Sequence, residues 1–111
     1  MRLVIIGSGC RGTDLRKISE PKVLSWTAKD IMPWVPIFGT TGSSEGNELV
    51  RKADKLLILG CRMNPRQIGY GWIRPYTIMV DIDMEEILNF DPDECYHMTV
   101  KDYLANIYKP D

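Results

Sequence analysis

The chain has 111 residues, the length of a single domain, and a domain of this size buries about two thirds of the surface that its unfolded chain exposes. Hydrophobic residues make up 44% and charged residues 26%, which excludes a disordered or low-complexity chain. Against 15 acidic residues stand 14 basic ones, scattered singly or in pairs such as Arg16-Lys17 and Arg51-Lys52, so no stripe exists for gripping nucleic acid.

The apolar runs Leu3 to Ile6 and Leu56 to Leu59 are far too short to span a bilayer. Met1 leads straight into a strand, without the apolar region of a signal peptide. Cys10, Cys61 and Cys95 are odd in number and widely spaced, which gives neither a CxxC pair nor a disulfide framework, and His97 is the only histidine, so no zinc site is expected. A reducing cytoplasm is the expected setting.

Leu3 to Ile6 reads as the first strand, and Gly7-Ser8-Gly9-Cys10-Arg11-Gly12 follows it as a formal GxGxxG. Placed between a strand and a helix, such glycines allow a tight turn and bring backbone N–H groups toward a pyrophosphate. The helix expected next, Thr13 to Ser19, has only Leu15 and Ile18 as apolar anchors. Pro21 stops it, and Val23 to Trp26 reads as the second strand. No acidic residue ends that strand where a ribose partner of a dinucleotide should stand; Asp30 lies beyond it. A ligand-free strand-to-helix turn is the other reading of these glycines.

Trp34 to Phe38 crosses a sheet edge, and Gly39-Thr40-Thr41-Gly42-Ser43-Ser44 forms a hydroxyl-rich loop. Glu45 to Ala53 reads as a helix capped by Ser43 or Ser44, with Leu49, Val50 and Ala53 inward. The loop is a second anion cradle in outline, although it lacks the GK[ST] ending of a P-loop.

Lys55 to Leu59 is a short apolar run ended by Gly60, as suits a strand buried on both faces. Arg62, Asn64, Pro65, Arg66 and Gln67 crowd the segment after it, where ligands of open α/β sheets bind. Arg62 offers a planar fork of donors to phosphate or carboxylate. Thr77 to Ile82 is the next strand, and its end carries Asp81 and Asp83. Asp83, followed by Met84, Glu85 and Glu86, reads as a helix cap, which leaves Asp81 as the better ligand candidate. Glu94 to Thr99 and Val100 to Tyr108 complete the chain as strand and helix. The alternation predicts one α/β domain: a three-layer, doubly wound, Rossmann-like parallel sheet of about six strands, ordered 3-2-1-4-5-6 or a truncation of that order.

The segments SWTAKD, PIFGTTG, GNELVRKADKLLILGCRMNPRQIGY and IMVDIDMEEI resemble the central domain of thiamine diphosphate-dependent enzymes of the acetolactate synthase type. The likeness runs from Leu3 to Leu104, and its most specific parts lie at Ala53 to Tyr70 and Val80 to Ile87. It implies a nucleotide-binding domain that takes FAD or ADP, or in some relatives nothing, with the flavin structural rather than reactive. Carried over by position, the cofactor contacts fall on Gly7, Ser8 and Gly9, on Trp26 and Thr27, and on Gly39, Thr40 and Thr41. The remainder fall on Gly60, Cys61 and Arg62, and on Asp81 and Ile82.

The chain departs from that family in having no GDG…N metal-diphosphate motif and no activating glutamate. Its first helix is about two turns shorter than the family's. Thiamine diphosphate and magnesium therefore belong to the full-length family, and the chain alone is not expected to catalyse. It is expected to stand alone, as a homodimer, or beside chains that carry the thiamine-binding domains. A ligand-free scaffold derived from the same domain is the competing reading, and an NAD-dependent oxidoreductase resting on GxGxxG ranks third.

Overall fold

A strand that is apolar throughout needs cover on both faces, and the central strands have it. In this computed structural model, which describes residues 2–18, 23–25, 48, 50–61 and 74–110 (for 23–25 the backbone only), β1 (Arg2–Ile6) is buried at every position. It lies between β2 (Val23–Ser25) and β3 (Lys55–Leu59), and β3 is in turn paired to β4 (Tyr76–Asp81) and β4 to β5 (Glu94–His97). Every pairing is parallel, with Ile6 opposite Ser25 and Leu59, Leu59 opposite Val80, and Asp81 opposite His97. The described residues thus hold a five-stranded parallel sheet in the order β2-β1-β3-β4-β5. This is the order expected from the sequence with its third strand left out. Trp34 to Phe38, the segment expected to cross the edge, lies outside the described residues.

Side chains alternate across the sheet and feed two cores. Leu3, Ile5, Leu56, Ile58 and Met79 share one face with Val50 and Ala53, and with Ile87 and Phe90 of α1 (Met84–Phe90). Val4, Ile6, Leu57, Leu59 and Val80 share the other with Cys10 and with Val100, Tyr103 and Leu104 of α2 (Val100–Asn106). Val4, Ile6, Leu57 and Leu59 are fully buried, each at 0% exposure. Helical residues Glu48 and Val50 to Lys52 precede β3, with Val50 inward and Arg51 and Lys52 exposed, as their pattern predicts.

The first helix is a correction. Where an α-helix is expected over Thr13 to Ser19, the described residues hold one 3₁₀ turn, Leu15–Lys17, preceded by another at Ser8–Cys10. Two local causes account for it. Leu15 and Ile18, the only apolar anchors, are three residues apart, the repeat of a 3₁₀ helix. Asp14 also folds back on the turn, accepting the Arg16 amide at 3.0 Å and its guanidinium Nε and Nη2 at 2.9 Å each. That fork holds the Asp14 carboxyl down to about 2.

Asp83 caps a helix as expected, and Thr99, expected in a strand, caps another. Asp83 accepts the Glu85 amide and starts α1, and Thr99 accepts the Asp102 amide and starts α2. α1 ends on Asp91 in the left-handed conformation, φ 56°, and Arg74 closes that end by donating to the Phe90 carbonyl. α2 stops at Asn106, short of the expected Tyr108, and β5 stops at His97, short of Thr99, because Thr99 turns the chain as the cap.

Candidate functional site

The carboxyl ends of all described strands face one edge, and the strand order reverses between β1 and β3. In open α/β sheets that switch point is where ligands bind. Here the two loops at the switch point meet backbone to backbone. A Cβ on Gly7 would stand 2.6 Å from Gly60 O and from Cys61 Cα, and one on Gly9 would stand 2.7 Å from Gly60 Cα. Gly60 itself has φ 57°, and a Cβ there would stand 2.7 Å from Gly9 Cα. Side chains longer than hydrogen cannot occupy these three positions without moving one loop off the other.

Hydrogen bonds lock the same joint. Gly7 N–H donates to Leu59 O at 3.1 Å, Gly9 N–H to Gly60 O at 2.8 Å, and Gly60 N–H to Val80 O at 2.9 Å. Cys10, Arg11 and Thr13 donate their amides to Gly7 O, Ser8 O and Cys10 O. The amides that a GxGxxG would aim at a pyrophosphate are thus largely engaged within the protein. Gly12, the last glycine of the pattern, has φ 75°, and a Cβ there would meet none of the described residues within 4 Å, so it serves a turn.

Asp81 ends β4 beside this joint and is 8% exposed. One carboxylate oxygen, Oδ1, accepts the Asp83 amide at 2.8 Å, and the Asp81 carbonyl accepts the Met98 amide at 3.2 Å. A small depression of about 80 Å³ opens here, lined by Gly9, Gly60, Asp81, Ile82, Met98, Thr99 and Val100. His97 of β5, outside this lining, has Nε2 2.9 Å from the Ile82 carbonyl, which suits the tautomer protonated at Nε2. Sequence reasoning missed Met98, Thr99 and Val100. Their signal was the end of the last strand, which becomes part of the site only once β5 is known to lie parallel beside β4.

Cys10 and Cys61 are buried under the joint and unbridged. Burial first, and the negative Asp81 carboxylate last, push the Cys10 thiol up to about 11, although a Gly7 backbone hydrogen bond opposes this. Burial likewise drives the Cys61 thiol well above the ordinary range. Neither is a nucleophile at neutral pH, and the Cys10 thiol donates instead to Leu59 O at 3.2 Å.

Of the residues expected at the site, the fold brings Gly7, Ser8, Gly9, Gly60, Cys61, Asp81 and Ile82 to one edge of the sheet. Trp26, Thr27, Gly39, Thr40, Thr41 and Arg62 lie outside the described residues, as does the rest of the stretch from Arg62 to Gly71. A depression of about 80 Å³ is well below the roughly 300 Å³ at which pockets for drug-sized ligands begin. The described residues therefore fit one group of a nucleotide, such as its sugar, and do not by themselves fit a whole FAD. Among them no cluster of three metal-ligating side chains occurs, and no helix is long and apolar enough to cross a membrane. No protein-family model matches the chain, and neither does any curated protein.

Proposed function

We propose that this chain is a nucleotide-binding domain of the kind found at the centre of acetolactate synthase-like, thiamine diphosphate-dependent enzymes, without turnover of its own. The observation that carries the reading is the gathering of Gly7 to Gly9, Gly60, Cys61, Asp81 and Ile82 at the switch point of a parallel sheet. FAD or ADP is the ligand class, and Asp81 and the backbone around Gly60 are the groups here that would hold it. When bound, such a cofactor supplies structural support rather than electrons. A sixth strand, expected from the alternation of the sequence, belongs to this reading. Chains bearing thiamine-binding domains, or a second copy of this one, are the partners in this reading. The cytoplasm is its setting, in keeping with the unbridged cysteines.

The scaffold reading has its own support in the engaged amides of the glycine turn and the small volume beside Asp81. Absorbance of the purified protein, followed by calorimetric titration with FAD, ADP and NAD, separates the two. A flavin spectrum or saturable binding of FAD or ADP is the expected result. Absence of binding by all three at millimolar concentration, in a folded protein, leaves the scaffold. Turnover of pyruvate by this chain alone with thiamine diphosphate and magnesium would overturn the non-catalytic part.

A further inference from the structure

We propose that the outer edge of β5 and the exposed flank of α1 beside it form a docking surface for an extended basic segment of another protein, which pairs with β5 as an added strand. The inference goes beyond the nucleotide reading and does not depend on it, since Met84, Leu88, Cys95 and His97, which make up this surface, do not line the depression at the switch point.

Among the described residues β5 ends the sheet. The Met98 amide donates to the Asp81 carbonyl, and residues of a parallel strand alternate between facing their neighbour and facing away. Glu94 and Tyr96 therefore face β4, while the amides and carbonyls of Cys95 and His97 point outward. The Cys95 and His97 side chains lie on the α1 face of the sheet, since Cys95 stands opposite Met79, a member of that core. α1 packs over β4 and β5 with Ile87 and Phe90 inward. Burial is the main cause of the raised Cys61 thiol, yet the Glu86 charge also reaches it, which places that flank of α1 toward β3. The opposite flank, Met84 and Leu88, turns toward the β5 edge, and these two apolar side chains are 40% and 70% exposed. Four residues of helix rise about 6 Å and two residues of parallel strand about 6.6 Å, so Met84 and Leu88 keep step with His97 and Cys95. A chain laid along β5 would satisfy the outward backbone groups and cover Leu88 with every second side chain.

Charge selects the occupant. Between Arg74 and Lys101 the chain has seven aspartates and glutamates and no lysine or arginine. Glu85, Asp91 and Asp93 are exposed, Glu94 is half-buried, and none of the four has an ion pair with a described cation. A second copy offering the same edge would set this acidic margin against itself, and charge on an edge strand opposes such self-pairing. A basic segment meets the margin with the opposite sign. On the added strand, side chains of one face stand beside Glu94 and those of the other beside Leu88. Alternating cationic and apolar residues fit both.

The test is amide-resolved NMR of the whole chain titrated with a short peptide of alternating lysine and valine. A glutamate–valine peptide and a backbone N-methylated lysine–valine peptide are the controls. The lysine–valine peptide is expected to bind saturably, to shift Leu88, Cys95 and His97, and to slow exchange of the Cys95 and His97 amides. Neither control should bind at the same concentration, and added salt should weaken the complex. Leu88→Ser, at a position too exposed to decide folding, should weaken binding about fivefold or more. The peptide controls in wild type stand even if that variant fails to fold. No saturable binding at millimolar concentration, equal binding of either control, or shifts confined to α1 with the Cys95 and His97 amides unmoved would overturn the inference. So would association of the free protein with itself through those amides, which would make a second copy the occupant. None of these outcomes bears on the binding of FAD or ADP.

Discussion

Gly60 and Gly12 both adopt positive φ, at 57° and 75°, yet they sit in opposite surroundings. Alanine at Gly12 meets open space and should cost only the left-handed penalty, on the order of 1 kcal/mol. Alanine at Gly60 adds a collision with Gly9 Cα and should cost roughly 3 kcal/mol or more, or prevent folding. Urea unfolding of the two variants checks the difference, and equal costs would mean that the joint is looser than described. Cysteine chemistry is decided by burial in the same way. Cys95 is exposed whereas Cys10 and Cys61 are buried, so a thiol reagent should label Cys95 quickly in the native protein and the other two only on unfolding. The Cys10 thiol, raised from 9.0 to about 11, keeps its proton in the folded state at a pH where the unfolded chain has lost it. Stability is therefore unaffected by this group below about pH 9 and falls as pH rises from there to about 11. Urea midpoints across that window should decline, and Cys10→Ala should flatten the decline in part.

At the scale of elements, the short helices depend on their caps, since α1 and α2 have seven residues each. Isolated helices of that length do not persist in water. Asp83→Ala should cost about 0.5 to 2 kcal/mol, and Thr99→Ala a similar amount, measured as shifts of the urea midpoint. Asp83→Asn, which keeps the acceptor, should lose much less. The strands are held by pairing as well as burial. Glu94 of β5 accepts the hydroxyls of Tyr76 on β4 and of Tyr96 on its own strand, at 3.2 and 2.6 Å, and this hydrogen bond, ahead of burial and the Glu94 charge, raises the Tyr96 phenol to about 12. The segment after Gly12 shows the limit of local reasoning. Its polarity and its stop signal fit a helix, but too few apolar side chains were present to repay a longer one, and Asp14 found a tighter partner in Arg16.

For the whole molecule, the centre of the sheet carries the stability. Leu57 is fully buried between β1 and β4 partners Val4 and Ile78, so Leu57→Ala should cost about 2 to 5 kcal/mol. That is a large fraction of what a small domain has, and thermal unfolding reads it directly. Arg2 joins distant parts of the chain: its Nη2 donates to the Lys109 carbonyl at 2.7 Å and its guanidinium lies 5.8 Å from the Tyr108 ring centre. Arg2→Ala should therefore destabilise by about 1 to 3 kcal/mol and speed amide exchange in α2.

By itself the sequence determined where the central strands run, because Leu3 to Ile6 and Lys55 to Leu59 are apolar without alternation and only cover on two faces can bury such runs. It also determined the start of α1, because the Asp83 cap is a contact between residues two apart, whereas Thr99, the cap of α2, reads from the sequence as the end of a strand. It marked Gly7, Gly9, Gly60 and Asp81 as special. Tertiary structure alone decided what those glycines do. Gly9 and Gly60 are distant in the chain and come together only through the β1–β3 pairing, and that contact takes up amides which looked available for an anion. It alone brought Met98, Thr99 and Val100 to Asp81, through the register that sets Asp81 opposite His97. Local patterns record the covalent neighbourhood of a residue, whereas the polarity of a site depends on which donors remain after the strands have paired.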